Sequence, residues 1–439
     1  MIERVTYRGP GQELPEKLAR ILQRHSGIRP EVEVAVRNII EAVRERGDEA
    51  LVEFSRQFDD ADMSVEALRV PAAALTEASR DLDEDLRDAI EEAADNVRAF
   101  HERQRTNSWF VEDGDGVILG KKVTPLRRVG ICVPGGQAPL ISSLLMSAVP
   151  AQVAGVEEIC AVAPPGPDGL PHASILAAAD LLEVEEVYAV GGAHAVAALA
   201  YGTDTIAPVD KIVGPGGPYT VAAKQLVFGR VGIESIPGPS EIVVVADDGA
   251  DPRYIAADLL SQAEHGSGYE AAICITPSPE QAAEVQAEVV RQLESLPRGE
   301  IAADALEAYG AVVEVPDLET ALELSNRIAP EHMELLVDEP WSWLGAVENA
   351  GAVFLGPASS EPVGDYFAGT NHVLPTNGAA RYASSLGLAD FVKTISVVSY
   401  TAERLARVGD RIVTLARAES MEAHARAVLA RLDDYGNGR

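Results

Sequence analysis

Short β-branched runs that alternate with Ala-rich helical stretches, glycine-rich turns placed directly after several of those runs, and an apolar content of 47% predict an α/β fold. The simplest arrangement is two doubly wound, Rossmann-like parallel-sheet domains, with a helical segment before them and a helical tail after. A chain of 439 residues is long enough for two large domains with appendages. The expected division is 1–110 as a helical N-terminal segment packing on the second α/β domain, 111–238 and 239–385 as the two α/β domains, and 386–439 as the tail.

From residue 15 to about 105 the periodicity is helical. Val36, Ile39, Ile40 and Val43 fall at i, i+3, i+4 and i+7; Gly47 then ends that helix and Asp48 is expected to cap the next. This segment is acidic and carries no recognisable chemistry of its own. Near residue 128 the pattern changes. Candidate strands run over 129–133, 159–162, 187–190 and 211–213, and a second set over 241–246, 271–276, 311–315 and 352–355. After about residue 390, helix formers with apolar residues at helical spacing predict a helical tail, packed on its own chain or on a partner.

The 69 acidic against 36 basic residues leave a net charge of −33, which repels phosphate backbones and anionic headgroups and argues against nucleic-acid or membrane partners. An excess of this size points to solubility in concentrated salt, where screening removes most self-repulsion. Stability measured against KCl checks this; a fold equally stable at low and molar salt would count against it. Cys132, Cys160 and Cys274 lie far apart without a CxxC pair, so buried thiols in a reducing compartment are expected. The start MIERVTYRGP has no apolar core of a leader, and no apolar run reaches the roughly 20 residues of a membrane helix. The expectation is a soluble, cytoplasmic protein.

Glycine-rich turns at 133–136, 190–195 and 213–217 would sit at the carboxyl ends of strands, where main-chain N–H groups can meet a pyrophosphate. None is GxGxxG, so spacing alone also fits plain strand-to-helix turns. Four of the eight histidines lie in polar clusters late in the chain: QAEH (262–265), PEH (330–332), GTNH (369–372) and EAH (422–424). Gln262 and His265, at i and i+3, share one helix face and could offer an amide oxygen and an imidazole nitrogen to one metal. Glu331 beside His332 joins a carboxylate to an imidazole, a pairing suited to acid–base chemistry near neutral pH. His25, His101 and His172 fall outside these clusters and read as solvated surface groups.

The segments VGICVPGG, AVPAQVAGV, VGGAHAVAALAYGT, DKIVGPGG, GPSE, LLSQAEHG, APEH, GDYFAGTNHVLPT and EAHARAV occur in this order along nearly the whole chain. In this series the chain resembles the histidinol dehydrogenases. The resemblance implies oxidation of L-histidinol through L-histidinal to L-histidine, with two NAD+ and one Zn2+ per site, in a homodimer whose tails cross between subunits. It implies Gln262, His265, Asp365 and His424 as zinc ligands that also hold substrate, His332 as the base for the hydroxyl proton and Glu331 as activator of the attacking water. Ser240 would contact the substrate, His372 and Glu419 would hold its imidazole from the other subunit, and Gly135 and Gly136 would lie against the dinucleotide.

Three positions depart from the family pattern, all on the dinucleotide side: Cys132 stands where Tyr is usual, His194 where Gln is, and Gly217 where Asn is. Two alternatives therefore stay open. One is a paralogue oxidising another small amino or sulfo alcohol; the other is a zinc-holding ligand-binding protein without redox turnover.

Overall fold

The computed structural model describes residues 2–24, 27–135 and 138–436. The chain forms two compact units, Met1–Gln104 with Leu126–Phe391, and Arg105–Pro125 with Val392–Arg439; each is described by itself.

The first unit contains two parallel sheets. One has the strand order Glu186–Ala189, Glu158–Ala163, Arg128–Cys132, Lys211–Val213, Gly232–Ile233. The other runs Glu3–Thr6, Gly310–Glu314, Ala271–Thr276, Glu241–Ala246, His332–Leu336, Ala352–Leu355. Strands such as EIVVVA and AAICIT are buried at every position, as expected of parallel strands covered on both faces. Apolar clusters lie on either side of the second sheet, one built on Val244, Leu259 and Val285 and the other on Val243, Ile273 and Met333.

Each sheet reverses its winding once: between Arg128–Cys132 and Lys211–Val213 in the first, and between Glu241–Ala246 and His332–Leu336 in the second. Such a reversal opens a crevice at the strand ends, the usual ligand position in doubly wound folds.

Two strands of the second sheet were not foreseen. Glu3–Thr6 is an edge strand with mostly exposed side chains, so its sequence carries no apolar signal. His332–Leu336 (HMELL) is fully buried yet holds two polar residues in five, which masked it.

The N-terminal segment does not pack mainly on the second sheet. Only the strand Glu3–Thr6 and the helix Glu16–Gln23, with Leu18 and Ile21, join that core. Helix Pro30–Arg46 packs on helices Gly192–Tyr201 and Pro218–Val227, Ala72–Arg80 on Ala173–Leu181, and Glu84–Glu102 on Ile141–Ala154. The reason is apolar complementarity: helix Gly192–Tyr201 is buried along nearly its whole length and needs a cover. Val36, Ile39, Ile40 and Val43 supply it, each worth about 1.5–3 kcal/mol on full burial. Gly47 ends that helix at φ +57°, a conformation that disfavours any residue with a Cβ. Asp48 is the first residue of the next helix rather than its cap; its carboxylate accepts the Thr205 hydroxyl at 2.6 Å.

In the second unit, Val392–Tyr400, Val117–Pro125 and Trp109–Glu112 form an antiparallel sheet in that order. Residues 111–125 thus do not belong to the first parallel sheet, and the tail is not all helical. The run VKTISVVSY is rich in β-branched residues, which favours a strand over a helix. Helices Ala402–Ala418 and Glu422–Gly436 follow and pack on each other. Their approach requires Gly409, where a Cβ would lie 2.7 Å from Leu432 Cδ1.

Among the described residues no helix is long and apolar enough to cross a membrane. The three cysteines are buried and free, and burial pushes each thiol up to about 12.

Candidate active site

The first unit carries an open cavity of about 1400 Å³. One wall is made by the turns that leave the carboxyl ends of the first sheet's strands, including Gly135, Gly191, Gly192 and Gly217. Gly136 lies outside the described residues. At the winding reversal two of these turns touch: Gly214 has φ +103°, and a Cβ there would lie 2.3 Å from the Cys132 carbonyl oxygen, so only glycine fits. The opposite wall carries Ser261, His265, Glu361 and Asp365.

The N-terminal segment, read as without chemistry, also lines the cavity through Gly27, Arg29, Val32 and Asp59. Burial pushes the Asp59 carboxyl up to about 6. These positions carry no sequence signal, because it is tertiary packing that brings them to the wall.

The polar groups beside that wall come from the amino ends of two neighbouring strands and from two helices. His332 opens the strand His332–Leu336, paired in register with Ile242, and Glu331 immediately precedes it. Gln262 lies at the end of helix Pro252–Ala263 and Asp365 on the short helix Glu361–Tyr366. Placing chemistry at strand amino ends departs from the usual rule for doubly wound sheets. The cavity thereby joins carboxyl ends of the first sheet to groups beside the amino ends of the second.

His332 is 3% exposed. Its Nδ1 lies 3.1 Å from Gln262 Oε1 and 3.3 Å from the Glu241 carbonyl oxygen. Both neighbours are acceptors, so Nδ1 carries the proton and Nε2 holds the lone pair in the neutral ring. Nε2 is buried without a hydrogen-bond partner, and Asp365 Oδ1 stands 3.6 Å from it. Glu331 is also buried and accepts the main-chain N–H of Glu241 at 3.0 Å. Glu241 itself is neutralised by a buried ion pair with Arg24.

Burial is the first influence on each of these groups. It pushes Glu331 up to about 7, partly offset by His332. It opposes the charged form of His332, yet Glu331, Asp365 and Glu361 outweigh it and raise the imidazole to about 10. For Asp365 burial is outweighed by His332, which holds the carboxyl below its usual range. Behind them, burial and Asp258 push Glu334 up to about 10.

Glu331, Glu361 and Asp365 thus surround one imidazole, a concentration of carboxylates that calls for a cation. Ligating atoms of His332, Glu361 and Asp365 lie within 4.8 Å of one another. Gln262 Nε2 stands 3.4 Å from His265 Nδ1, which in turn lies 3.1 Å from the Gln262 carbonyl oxygen. That second contact directs the His265 Nδ1 proton to the main chain and leaves Nε2 for a ligand. A donor set of amide oxygen, imidazole and carboxylate fits zinc.

The structure therefore brings Gln262, His265, Glu331, His332 and Asp365 together. His372 belongs to the same unit, electrostatically coupled to Asp365, His332 and His265 of its own chain rather than reaching in from a partner, and burial lowers its pKa. Ser240 directly precedes the strand Glu241–Ala246, its carbonyl accepting from Ala271 N–H at 3.2 Å. Glu419 and His424 lie in the second unit, around the junction of its two helices. Glu361 was missed; the signal was its i, i+4 spacing to Asp365, which sets two carboxylates on one helix face.

Of the histidines expected at the surface, His101 is not there: it is 0% exposed, its Nδ1 2.8 Å from the Val97 carbonyl oxygen. His172 is exposed, as expected, and caps its helix; His25 lies outside the described residues. His194 does not line the cavity as Cys132 and Gly217 do. It packs on Phe54 and Phe58 with Nε2 3.4 Å from Ser55 Oγ, and burial lowers it to about 4.

Residues 22–432 match the family profile of histidinol dehydrogenase. The chain belongs to the histidinol dehydrogenase family. It is 54% identical over 400 residues to the histidinol dehydrogenase of Halalkalibacterium halodurans, covering 91% of this chain and 94% of that one. Identity to the histidinol dehydrogenase of Geobacillus kaustophilus is 52% over 399 residues, with 91% and 93% covered. The crystal structure of histidinol dehydrogenase from Elizabethkingia anophelis superposes with a TM-score of 0.92 at 36% identity, covering 99% of both chains.

Proposed function

We propose that this protein is a zinc-dependent, NAD-dependent histidinol dehydrogenase that oxidises L-histidinol through L-histidinal to L-histidine. The observation that carries the proposal is the buried Glu331–His332 pair, set beside a donor cluster on a cavity whose far wall is glycine turns, in a chain of this family. Gln262, His265 and Asp365 would hold one Zn2+, with His424 brought by the tail that the resemblance has crossing between subunits. When bound, the metal would fix the amino and imidazole nitrogens of the substrate, and two NAD+ would each take one hydride.

The chain's own groups do the rest. With a bound cation offsetting the carboxylates that raise the imidazole, His332 would be the neutral ring, its lone pair kept at Nε2 by the two acceptors at Nδ1, and takes the hydroxyl proton as hydride leaves the carbon. Glu331, as carboxylate, removes a proton from the water that attacks the aldehyde while the imidazolium of His332 returns its proton to the aldehyde oxygen, giving a gem-diol and a neutral imidazole again. His332 then takes the hydroxyl proton of that diol in the second oxidation. Ser240 and His372 orient the substrate, together with Glu419 from a tail crossing between subunits. The main-chain N–H groups near Gly135 and Gly217 would meet the dinucleotide. The exposed apolar side chains Trp109, Phe110, Val111 and Ile395 of the second unit support a homodimer, since a second copy would cover them.

The test is the NADH formed per L-histidinol consumed. Two is the expected yield; turnover of another small alcohol alone would identify a paralogue, and zinc-dependent binding without turnover a non-redox binder. A chelator should abolish histidinol binding while the protein stays folded, because the two apolar cores do not depend on the site. Circular dichroism and calorimetry of the metal-free protein check this, and cooperative unfolding on chelation would make the metal structural instead.

A further inference from the structure

Three elements carry the groups gathered around His332. Helix Pro252–Ala263 brings Gln262, the strand His332–Leu336 brings His332 itself, and helix Glu361–Tyr366 brings Glu361 and Asp365. A deeper layer of side chains ties the same three elements together. Glu334, two residues after His332 and therefore on the same face of the sheet, is 0% exposed. Its Oε1 accepts the main-chain N–H of Glu361 at 2.9 Å. Its Oε2 is buried without a hydrogen-bond donor in reach, and the carboxyl faces that of Asp258 on the first helix. Ser261 Oγ lies 2.8 Å from the Asp258 carbonyl oxygen and 3.2 Å from Glu361 Oε2.

We propose that Glu334, backed by Asp258, is a positioning residue that sets the affinity of the site for a divalent cation by fixing the helix that carries Glu361 and Asp365. Glu334 touches neither substrate nor cation. The need for it is local. Helix Glu361–Tyr366 has only six residues, and its cap, Ser360, makes no side-chain hydrogen bond to it. The first N–H of a helix lacks an intrahelical partner, and a helix this short has little stability of its own. Glu334 Oε1 supplies the missing acceptor and anchors the helix start to the strand of His332. The Asp365 carboxylate, one turn further on, is thereby held facing His332 and the end of helix Pro252–Ala263.

The inference rests on the reading that Gln262, His265 and Asp365 hold a cation, and the experiment separates the two. Zn2+ and NAD+ dissociation constants and hydrogen exchange over residues 361–366 are measured for the full chain and for two variants. Glu334→Gln keeps an acceptor for the Glu361 N–H and offers an amide N–H to Asp258, so all three readouts should stay close to those of the unaltered protein. Glu334→Leu, of similar volume and without an acceptor, should weaken Zn2+ by about 10-fold to 100-fold, speed exchange over 361–366 and leave NAD+ affinity unchanged. If the single variant fails to fold, Glu334→Leu with Asp258→Asn removes the stranded buried carboxylate and is read in the same way. Zn2+ affinity and exchange unmoved in the leucine variant would overturn the proposal, as would an equal loss in the glutamine variant. Absence of Zn2+ binding by the unaltered protein would instead overturn the metal reading, and exchange over 361–366 would still decide the role of Glu334.

Discussion

Replacing His332 with Ala is expected to slow both oxidation steps by about 10²-fold to 10⁴-fold, while Glu331→Ala slows mainly the oxidation of L-histidinal. His332 Nε2 is the buried ring nitrogen beside the cluster, the one that holds the lone pair in the neutral ring because Gln262 and Glu241 direct the proton to Nδ1; in the proposed mechanism both steps release a hydroxyl proton and both would need it. In the proposed mechanism Glu331 would serve only the step that consumes water. Burial raises Glu331 to about 7, and the group works as the carboxylate. Aldehyde oxidation should therefore rise with pH through that region, and the rise should vanish in the Glu331→Ala variant. Rates with histidinol and with histidinal, measured separately across pH, check the division. Equal loss of alcohol oxidation in both variants, with aldehyde oxidation retained, would refute it.

The parallel sheets were legible in the sequence because their strands are continuous apolar runs between glycine turns. Their buried helices, such as Ile141–Ala154, likewise show as long apolar stretches. What escaped was structure whose stability comes from elsewhere. Glu3–Thr6 is a strand because Gly310–Glu314 offers it an edge, and Val117–Pro125 because the distant Val392–Tyr400 pairs with it along its whole length. The same holds at the site. Gln262, His265, Glu331, His332 and Asp365 were legible as residue types within distinctive motifs. Glu361 and Glu334 read as ordinary acidic positions, since their burial depends on three elements meeting. His101 and His194 erred in the same way: their surroundings are built by packing that no local pattern records.

On the dinucleotide side the double change Cys132→Tyr with Gly217→Asn is expected to tighten NAD+ binding, whereas His194→Gln adds nothing. Gly217 lines the cavity with φ −66°, and a Cβ placed there meets nothing within 4 Å. An asparagine therefore fits without backbone strain and brings a carboxamide able to form a hydrogen bond worth about 0.5–1.5 kcal/mol. Cys132 lies on the same wall; its thiol is protonated at neutral pH and offers no aromatic face, which a tyrosine would supply at about 0.5–1.5 kcal/mol beyond area. Together the two amount to roughly 1–3 kcal/mol, about 5-fold to 150-fold in the dissociation constant, with some loss to non-additivity between neighbouring turns. His194 is different in kind. It fills the space between Phe54, Phe58 and Ser55 instead of facing the cavity, so its exchange for Gln disturbs packing and leaves the nucleotide untouched. Calorimetric titration with NAD+ of the unaltered chain, the double variant and the triple variant decides the matter, with Zn2+ and histidinol affinities as controls that should not move. If the unaltered chain already binds NAD+ at micromolar strength and the double variant gains nothing, other contacts on the wall, with Arg29 and Asp59 the first to examine, have taken over the role of the two missing side chains.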